Sequence, residues 1–126
     1  MTPGRLVLVV DDEADIRLLV AARLERAGFE VMTAADGDDA QALLRERRPD
    51  LVLLDVRMPR VGGLEVLEAI RADDATRDLP VILLTASVEE QSVARGLRAG
   101  ATDYVAKPFS PRELVARVEA VLSAPQ

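Results

Sequence analysis

Cysteine, histidine and tryptophan are absent from this 126-residue chain, and tyrosine and lysine each occur once. Without cysteine there is no disulfide scaffold, no thiolate metal site and no thiol nucleophile, a composition that fits a cytosolic protein. Without histidine the commonest general base and metal ligand are gone, and so is any Ser-His-Asp triad. Any bound metal must be held by oxygen, which selects a hard cation such as Mg²⁺, Mn²⁺ or Ca²⁺. Aromatic residues make up only 2% of a chain that is 49% hydrophobic, so the core has to be built from Val, Leu, Ile and Ala. A basic excess is lacking too. The formal net charge is -6, and direct nucleic-acid binding by this segment is not expected. The apolar run LVLVV that follows MTPGR is far too short to span a membrane, and no cleavage-site pattern follows it. The expectation is a cytoplasmic domain without membrane association.

What is present is an alternation of two patterns. Short runs rich in Val and Leu occur at Leu6–Val10, Leu51–Leu54 and Val81–Leu84, with weaker ones at Glu30–Ala34 and Asp103–Ala106. Between them lie amphipathic stretches. Ile16, Leu19, Val20, Ala22, Leu24 and Ala27 are expected on one helical face, as are Leu64, Val66, Leu67 and Ile70, and then Leu114, Val115, Val118 and Leu122. Gly28 and Gly100 are placed as helix C-caps, and Pro49 and Pro80 stand just before strands. Ser110, Pro111 and Glu113 form a capping-box pattern that opens the last helix. A β-α unit repeated five times predicts one α/β domain over residues 1–126, with a core from about 6 to 122. The architecture expected is a doubly wound, five-stranded parallel sheet of flavodoxin-like order 2-1-3-4-5, with helices on both faces.

Ligand sites in such sheets lie beyond the carboxyl ends of the strands. Asp11 and Asp12 follow the first run, Asp55 the third, Thr85 the fourth and Lys107 the fifth. In the expected order these four strands are neighbours, so three carboxylates, one hydroxyl and the only ammonium meet at one rim. Clustered carboxylates cost roughly several kcal/mol unless a cation joins them or one takes a proton. Mg²⁺ suits one or two carboxylates plus phosphate oxygens. With no other nucleophile in place, a carboxylate is the candidate, and aspartate can form an acyl phosphate. Each residue also has a plainer reading. Asp11, Asp12, Glu13 and Asp15 could serve the dipole of the first helix. Asp55 could be a turn residue in a loop closed by Pro59, Thr85 an N-cap competing with Ser87, and Lys107 a surface lysine.

The segments VVDDE, LVLLDVRMP, GGLEVL, VILLTA and GATDYVAKPF, in this order, resemble the receiver domain of two-component response regulators. The likeness runs from about Leu6 to Leu122. It implies that Asp55 is phosphorylated by a sensor histidine kinase in a Mg²⁺-dependent reaction, with Mn²⁺ as an alternative metal. The chain would then be a phosphoacceptor signalling domain rather than an enzyme. The likeness also implies that Asp11, Asp12, Asp55 and the Arg57 backbone carbonyl hold the metal, and that Thr85, Ala86 and Lys107 surround the phosphoryl group. Lys107–Pro108 would be a cis peptide. Thr85 and Tyr104 would form a two-state switch acting on the surface of the fourth helix, fifth strand and fifth helix. Arg57 and Ser87 would occupy variable positions that tune dephosphorylation.

The last third of the chain is most similar to receivers attached to winged-helix transcription regulators. By that likeness Asp103, Glu113 and Arg117 belong to a face that forms a homodimer on phosphorylation, with Thr102 standing where an acidic residue is usual. Rival readings fail on particular residues. The DEAD letters at Asp12–Asp15 lack a phosphate-binding GxxxxGK[ST] loop. A Mg²⁺-dependent aspartyl phosphatase would need an acid where Arg57 stands. A flavin phosphate would meet three carboxylates at the rim.

Overall fold

The computed structural model of the chain describes residues 5–58, 61–86 and 95–123. Pro59 and Ser87, to which the sequence assigns roles, lie outside them, as do both chain ends. The elements are β1 (Leu6–Val10), α1 (Ala14–Arg26), β2 (Glu30–Ala34), α2 (Gly37–Glu46), β3 (Leu51–Asp55), α3 (Gly63–Ala72), β4 (Val81–Thr85), helical residues 95–98 (α4), β5 (Asp103–Ala106) and α5 (Pro111–Ser123). All pairings are parallel, in the order β2-β1-β3-β4-β5. This is the flavodoxin-like arrangement expected from the alternating pattern.

The continuous apolar runs are explained by burial on both faces. Side chains alternate along a strand, so Leu8, Val10, Val52, Leu54, Val81 and Leu83 pack on one side with Ala40 of α2 and Val66, Leu67 and Ile70 of α3. Val7, Val9, Leu51, Leu53, Ile82 and Leu84 pack on the other with Val20 and Leu24 of α1 and Leu114 and Val118 of α5. β1, β3 and β4 are buried throughout, whereas the edge strands β2 and β5 are only partly covered. That is why their sequences carry Glu30, Thr33 and Asp103 and read as weaker strands.

Helix ends follow the sequence closely. Gly28 and Gly100 have φ of 101° and 105°, which glycine adopts without the Cβ penalty. α5 starts at Pro111, and the Glu113 N–H donates to Ser110 Oγ at 3.1 Å. α1 departs from expectation. Its buried stripe is narrow, with Val20 and Leu24 fully covered and Ile16 partly so, four residues apart. Leu19 is 46% exposed, and Ala22 and Ala27 face solvent with it. The sheet and α5 cover α1 from one side only, which leaves no room for the wider apolar face read from the sequence.

One polar clasp crosses the fold. Arg71 of α3 donates from Nε to the Gly100 carbonyl at 2.9 Å, and from Nη1 to the carbonyls of Leu79 (2.6 Å) and Arg77 (3.0 Å). A planar guanidinium can serve three acceptors at once. It thus ties the entry to β4 to the turn before β5. Burial pulls the Arg71 pKa below its ordinary value, with Asp78 opposing. Replacing Arg71 by Ala leaves three carbonyls without this donor and should cost about 2–3 kcal/mol in urea denaturation. A loss within about 0.5 kcal/mol of zero would show that the clasp carries no stability.

Candidate functional site

The strand register places the polar residues. Asp55 is the last residue of β3, opposite Leu84 of β4, and Thr85 is the last residue of β4, opposite Ala106. Both belong to the strands themselves, one residue further than the apolar runs extend. The Lys107 N–H continues the ladder, donating to the Thr85 carbonyl at 2.7 Å, and the Asp11 N–H does the same toward the Ala34 carbonyl at 3.2 Å. The Lys107–Pro108 peptide is cis. β1, β3, β4 and β5 thus deliver Asp11, Asp55, Thr85 and Lys107 to one edge.

The local geometry decides against the plainer readings of Asp55 and Lys107. Asp11 is fully buried and Asp55 is 4% exposed. α1 begins only at Ala14, and Asp15 is the acid of its first turn. Asp11 and Asp12 therefore precede the helix. Asp55 is a strand residue and not a turn residue. Lys107 is no surface lysine, since its side chain is 13% exposed. Its Nζ lies 3.0 Å from Asp11 Oδ2, 3.5 Å from Asp55 Oδ1 and 3.5 Å from Glu13 Oε1. Thr85 is 7% exposed, while Ala86 directly after it is open to solvent.

The electrostatics are those of a crowded acidic site. Burial pushes the Asp55 carboxyl up to about 7; the neighbouring Asp11 charge and a hydrogen bond with Asp12 add to this, while Lys107 and the Arg57 N–H oppose it. That N–H donates to Asp55 Oδ1 at 3.3 Å. For Lys107, burial works against the ammonium, but Asp11, then Asp55 and Glu13, outweigh it and hold its pKa above the ordinary lysine value.

One carboxylate oxygen from each of Asp11, Asp12 and Asp55 lies within 4.8 Å of the others. Asp11 Oδ2 is buried without a hydrogen bond; its contact with Lys107 has the distance of an ion pair but not the direction of a hydrogen bond. A buried oxygen without a hydrogen bond, beside two further carboxylates, fits a hard divalent cation and suits Mg²⁺ better than a softer metal.

Next to this edge lies a cavity of about 200 Å³ lined by Thr85, Tyr104, Leu83, Leu97, Leu64 and Arg57, among others. Tyr104 is half-buried and packs against the core on that side. On the neighbouring surface, Arg117 Nη1 donates to Asp103 Oδ2 at 2.9 Å within the chain, while Asp103 Oδ1 accepts from the Tyr104 N–H. Glu113 is exposed. Thr102 is committed to the fold: its Oγ1 accepts from the Val81 N–H and its own N–H donates to the Val81 carbonyl.

Two contributors to the site escaped the sequence reading. Glu13 was assigned only to the helix dipole, yet it reaches Lys107 across 94 residues of chain. Gly63 allows α3 to start against β3. A Cβ there would collide with the Asp55 carbonyl oxygen, and the Gly63 N–H donates to the Val56 carbonyl. The Gly-Gly pair at the start of α3 was the available signal.

Residues 7–119 match the family model described as the response regulator receiver domain. The chain is 49% identical over 119 residues to the phosphate regulon transcriptional regulatory protein PhoB of Pseudomonas aeruginosa, covering 94% of this chain and 52% of that protein. It is 46% identical to the alkaline phosphatase synthesis transcriptional regulatory protein PhoP of Bacillus subtilis, covering 94% and 49%. The chain thus spans about half the length of the curated relatives it matches. Among solved structures, the chemotaxis protein CheY4 of Vibrio cholerae superposes with a TM-score of 0.90 at 36% identity, covering 94% of this chain and 98% of that one.

The raised Asp55 pKa has a sign that can be checked. Between the ordinary value of 3.8 and about 7, the folded protein keeps a proton that the unfolded chain has released. Without metal, this group therefore favours the fold at low pH and ceases to do so as pH rises through about 7. Asp55→Asn, neutral throughout, should be more stable than the metal-free parent by about 1–3 kcal/mol near pH 8.5. The gap should narrow toward about pH 5.5 in urea denaturation with EDTA. Adding Mg²⁺ should raise the parent's stability and close the gap at high pH. A gap independent of pH and of Mg²⁺ would mean that Asp55 is not strained by its neighbours.

Proposed function

The chain belongs to the response regulator receiver domain family, and on that premise we propose that Asp55 accepts a phosphoryl group from a sensor histidine kinase in a Mg²⁺-dependent reaction. The observation that carries this reading is the meeting of Asp11, Asp12 and Asp55 within 4.8 Å beside a buried lysine. In the reaction a carboxylate oxygen of Asp55 forms a bond to phosphorus as the donor's P–N bond breaks and its imidazole leaves. Asp11, Asp12, Asp55 and the Arg57 carbonyl would hold Mg²⁺, with Mn²⁺ able to replace it. When bound, the metal offsets negative charge on the carboxylates and the phosphoryl oxygens.

The chain's own residues do the rest. The Arg57 N–H, at 3.3 Å from Asp55 Oδ1, orients the nucleophile. Lys107 is already paired with Asp11 and Asp55 and needs only a small shift of its flexible stem to meet a phosphoryl oxygen. The Thr85 hydroxyl can donate to a second oxygen. Ala86, small and exposed, leaves the approach to Asp55 open. Transfer converts a carboxylate into an acyl phosphate with more negative charge and more acceptor oxygens, which is the kind of local change that biases a two-state element. Thr85 and Tyr104 are that element in this reading, since both line the cavity next to the acceptor. The signal then passes to the surface of α4, β5 and α5, and from there to a downstream output or a second copy of the chain.

Incubation with acetyl phosphate and Mg²⁺, followed by intact mass, tests the acceptor. One phosphoryl adduct is expected, lost in Asp55→Ala and with EDTA; an adduct that survives Asp55→Ala would overturn the assignment. For the dimer, sedimentation with beryllofluoride and Mg²⁺ should shift the parent toward a two-chain species through the Asp103, Glu113 and Arg117 face. Exposed ion pairs are worth about 0–1 kcal/mol each, so Arg117→Ala should weaken that association by no more than several-fold. An unshifted parent would remove the dimer from the proposal.

A further inference from the structure

The β1–α1 loop carries two of the three carboxylates, yet it lacks the usual device for fixing a helix start. Glu13 is the N-cap of α1, and its side chain makes no capping hydrogen bond. Besides the Lys107 contacts to Asp11 and Glu13, three hydrogen bonds hold the loop. The Asp11 N–H donates to the Ala34 carbonyl at 3.2 Å. The Glu13 N–H donates to Asp11 Oδ1 at 2.9 Å, closing a turn that ties the carboxylate to the start of α1. The third comes from the helix: Arg17 Nη1 donates to the Asp11 carbonyl oxygen at 2.8 Å.

That carbonyl belongs to the peptide joining Asp11 to Asp12. Holding its oxygen restrains the peptide plane, and with it the ψ of Asp11 and the φ of Asp12 on which the directions of the two carboxylates depend. We propose that Arg17 is a positioning residue for the acidic pair, holding the Asp11–Asp12 peptide in the orientation that presents both carboxylates to a divalent cation. Arg17 does not touch the acceptor oxygen in this arrangement. It acts through the backbone, as outer partners of metal ligands generally do, and the loss of such partners typically weakens metal binding about 10–100-fold.

The inference rests on the reading of the acidic cluster as a Mg²⁺ site, and the experiment separates the two. Mg²⁺ affinity is measured by calorimetry for the parent, Arg17→Ala and Arg17→Lys, alongside the urea stability of each metal-free protein. Arg17→Ala should bind Mg²⁺ about tenfold more weakly or worse. Arg17→Lys, which keeps one donor and the charge, should recover most of the affinity. Metal-free stability should change little across the series. Two results overturn the proposal while leaving the Mg²⁺ site standing: parent-like affinity in Arg17→Ala, or a weakening that Lys does not relieve and that follows a loss of metal-free stability. A parent that binds no Mg²⁺ at millimolar concentrations removes the site and the positioning role together.

Discussion

Asp11 and Asp55 stand at the ends of adjacent strands, nearly without solvent, and both face the Lys107 ammonium. Two buried carboxylates and one cation do not balance. The mismatch appears as an Asp55 carboxyl pushed to about 7 and a buried Asp11 oxygen without a hydrogen bond. Such a cluster is costly to maintain, and the rest of the architecture can be understood as what keeps it in place. The central strands are buried on both faces, so neither aspartate can withdraw to solvent by a local shift. Relief comes from a proton on Asp55 below about pH 7, or from a cation at the strand ends, a role suited to a hard divalent ion.

The parallel order turns this local imbalance into a site with directions. β1 and β3 are neighbours, so their terminal acids lie side by side. β4 comes next and adds Thr85, and β5 brings Lys107 in from the outer edge. Each element contributes one chemical function, and the spacing between functions is the spacing between strands. Gly63 serves the same end at a smaller scale, because only a residue without Cβ lets α3 begin against the Asp55 carbonyl.

Much of this was legible in the sequence, for a simple reason. A strand buried on both faces has to be apolar from end to end, so the first polar residue marks its carboxyl edge. Leu6–Val10, Glu30–Ala34 and Asp103–Ala106 have the bounds read from the pattern, and β3 and β4 extend by the one polar residue each that forms the site. Helical faces were harder to read. The pattern of α1 admits a wide stripe, and only the one-sided cover of sheet and α5 shows that Leu18 and Leu19 stay exposed. Arg17 and Glu13 were invisible as site residues. An arginine in a helix is usually a solvated charge, and nothing local indicates that it turns back to a strand-end carbonyl or that a glutamate pairs with a lysine 94 residues away.

Asp103 and Arg117 show the converse limit. The resemblance assigns them to contacts between two chains, yet here they pair with each other, and Asp103 is further engaged by the Tyr104 N–H. An intermolecular bridge made from these residues would have to replace the internal one. The net gain from the exchange is then the difference between two exposed ion pairs, a small quantity. Charge pairing on this face can therefore select a partner and set its register, but it cannot supply most of the energy of association. In the proposed dimer that energy would have to come from apolar contact, and Leu97, 47% exposed on α4, is one described side chain able to supply it. Leu97 also lines the cavity shared by Thr85 and Tyr104. A rearrangement of those two side chains would thus act on an exposed leucine, and in the proposed dimer the acceptor and the partner surface would be coupled by packing rather than by charge.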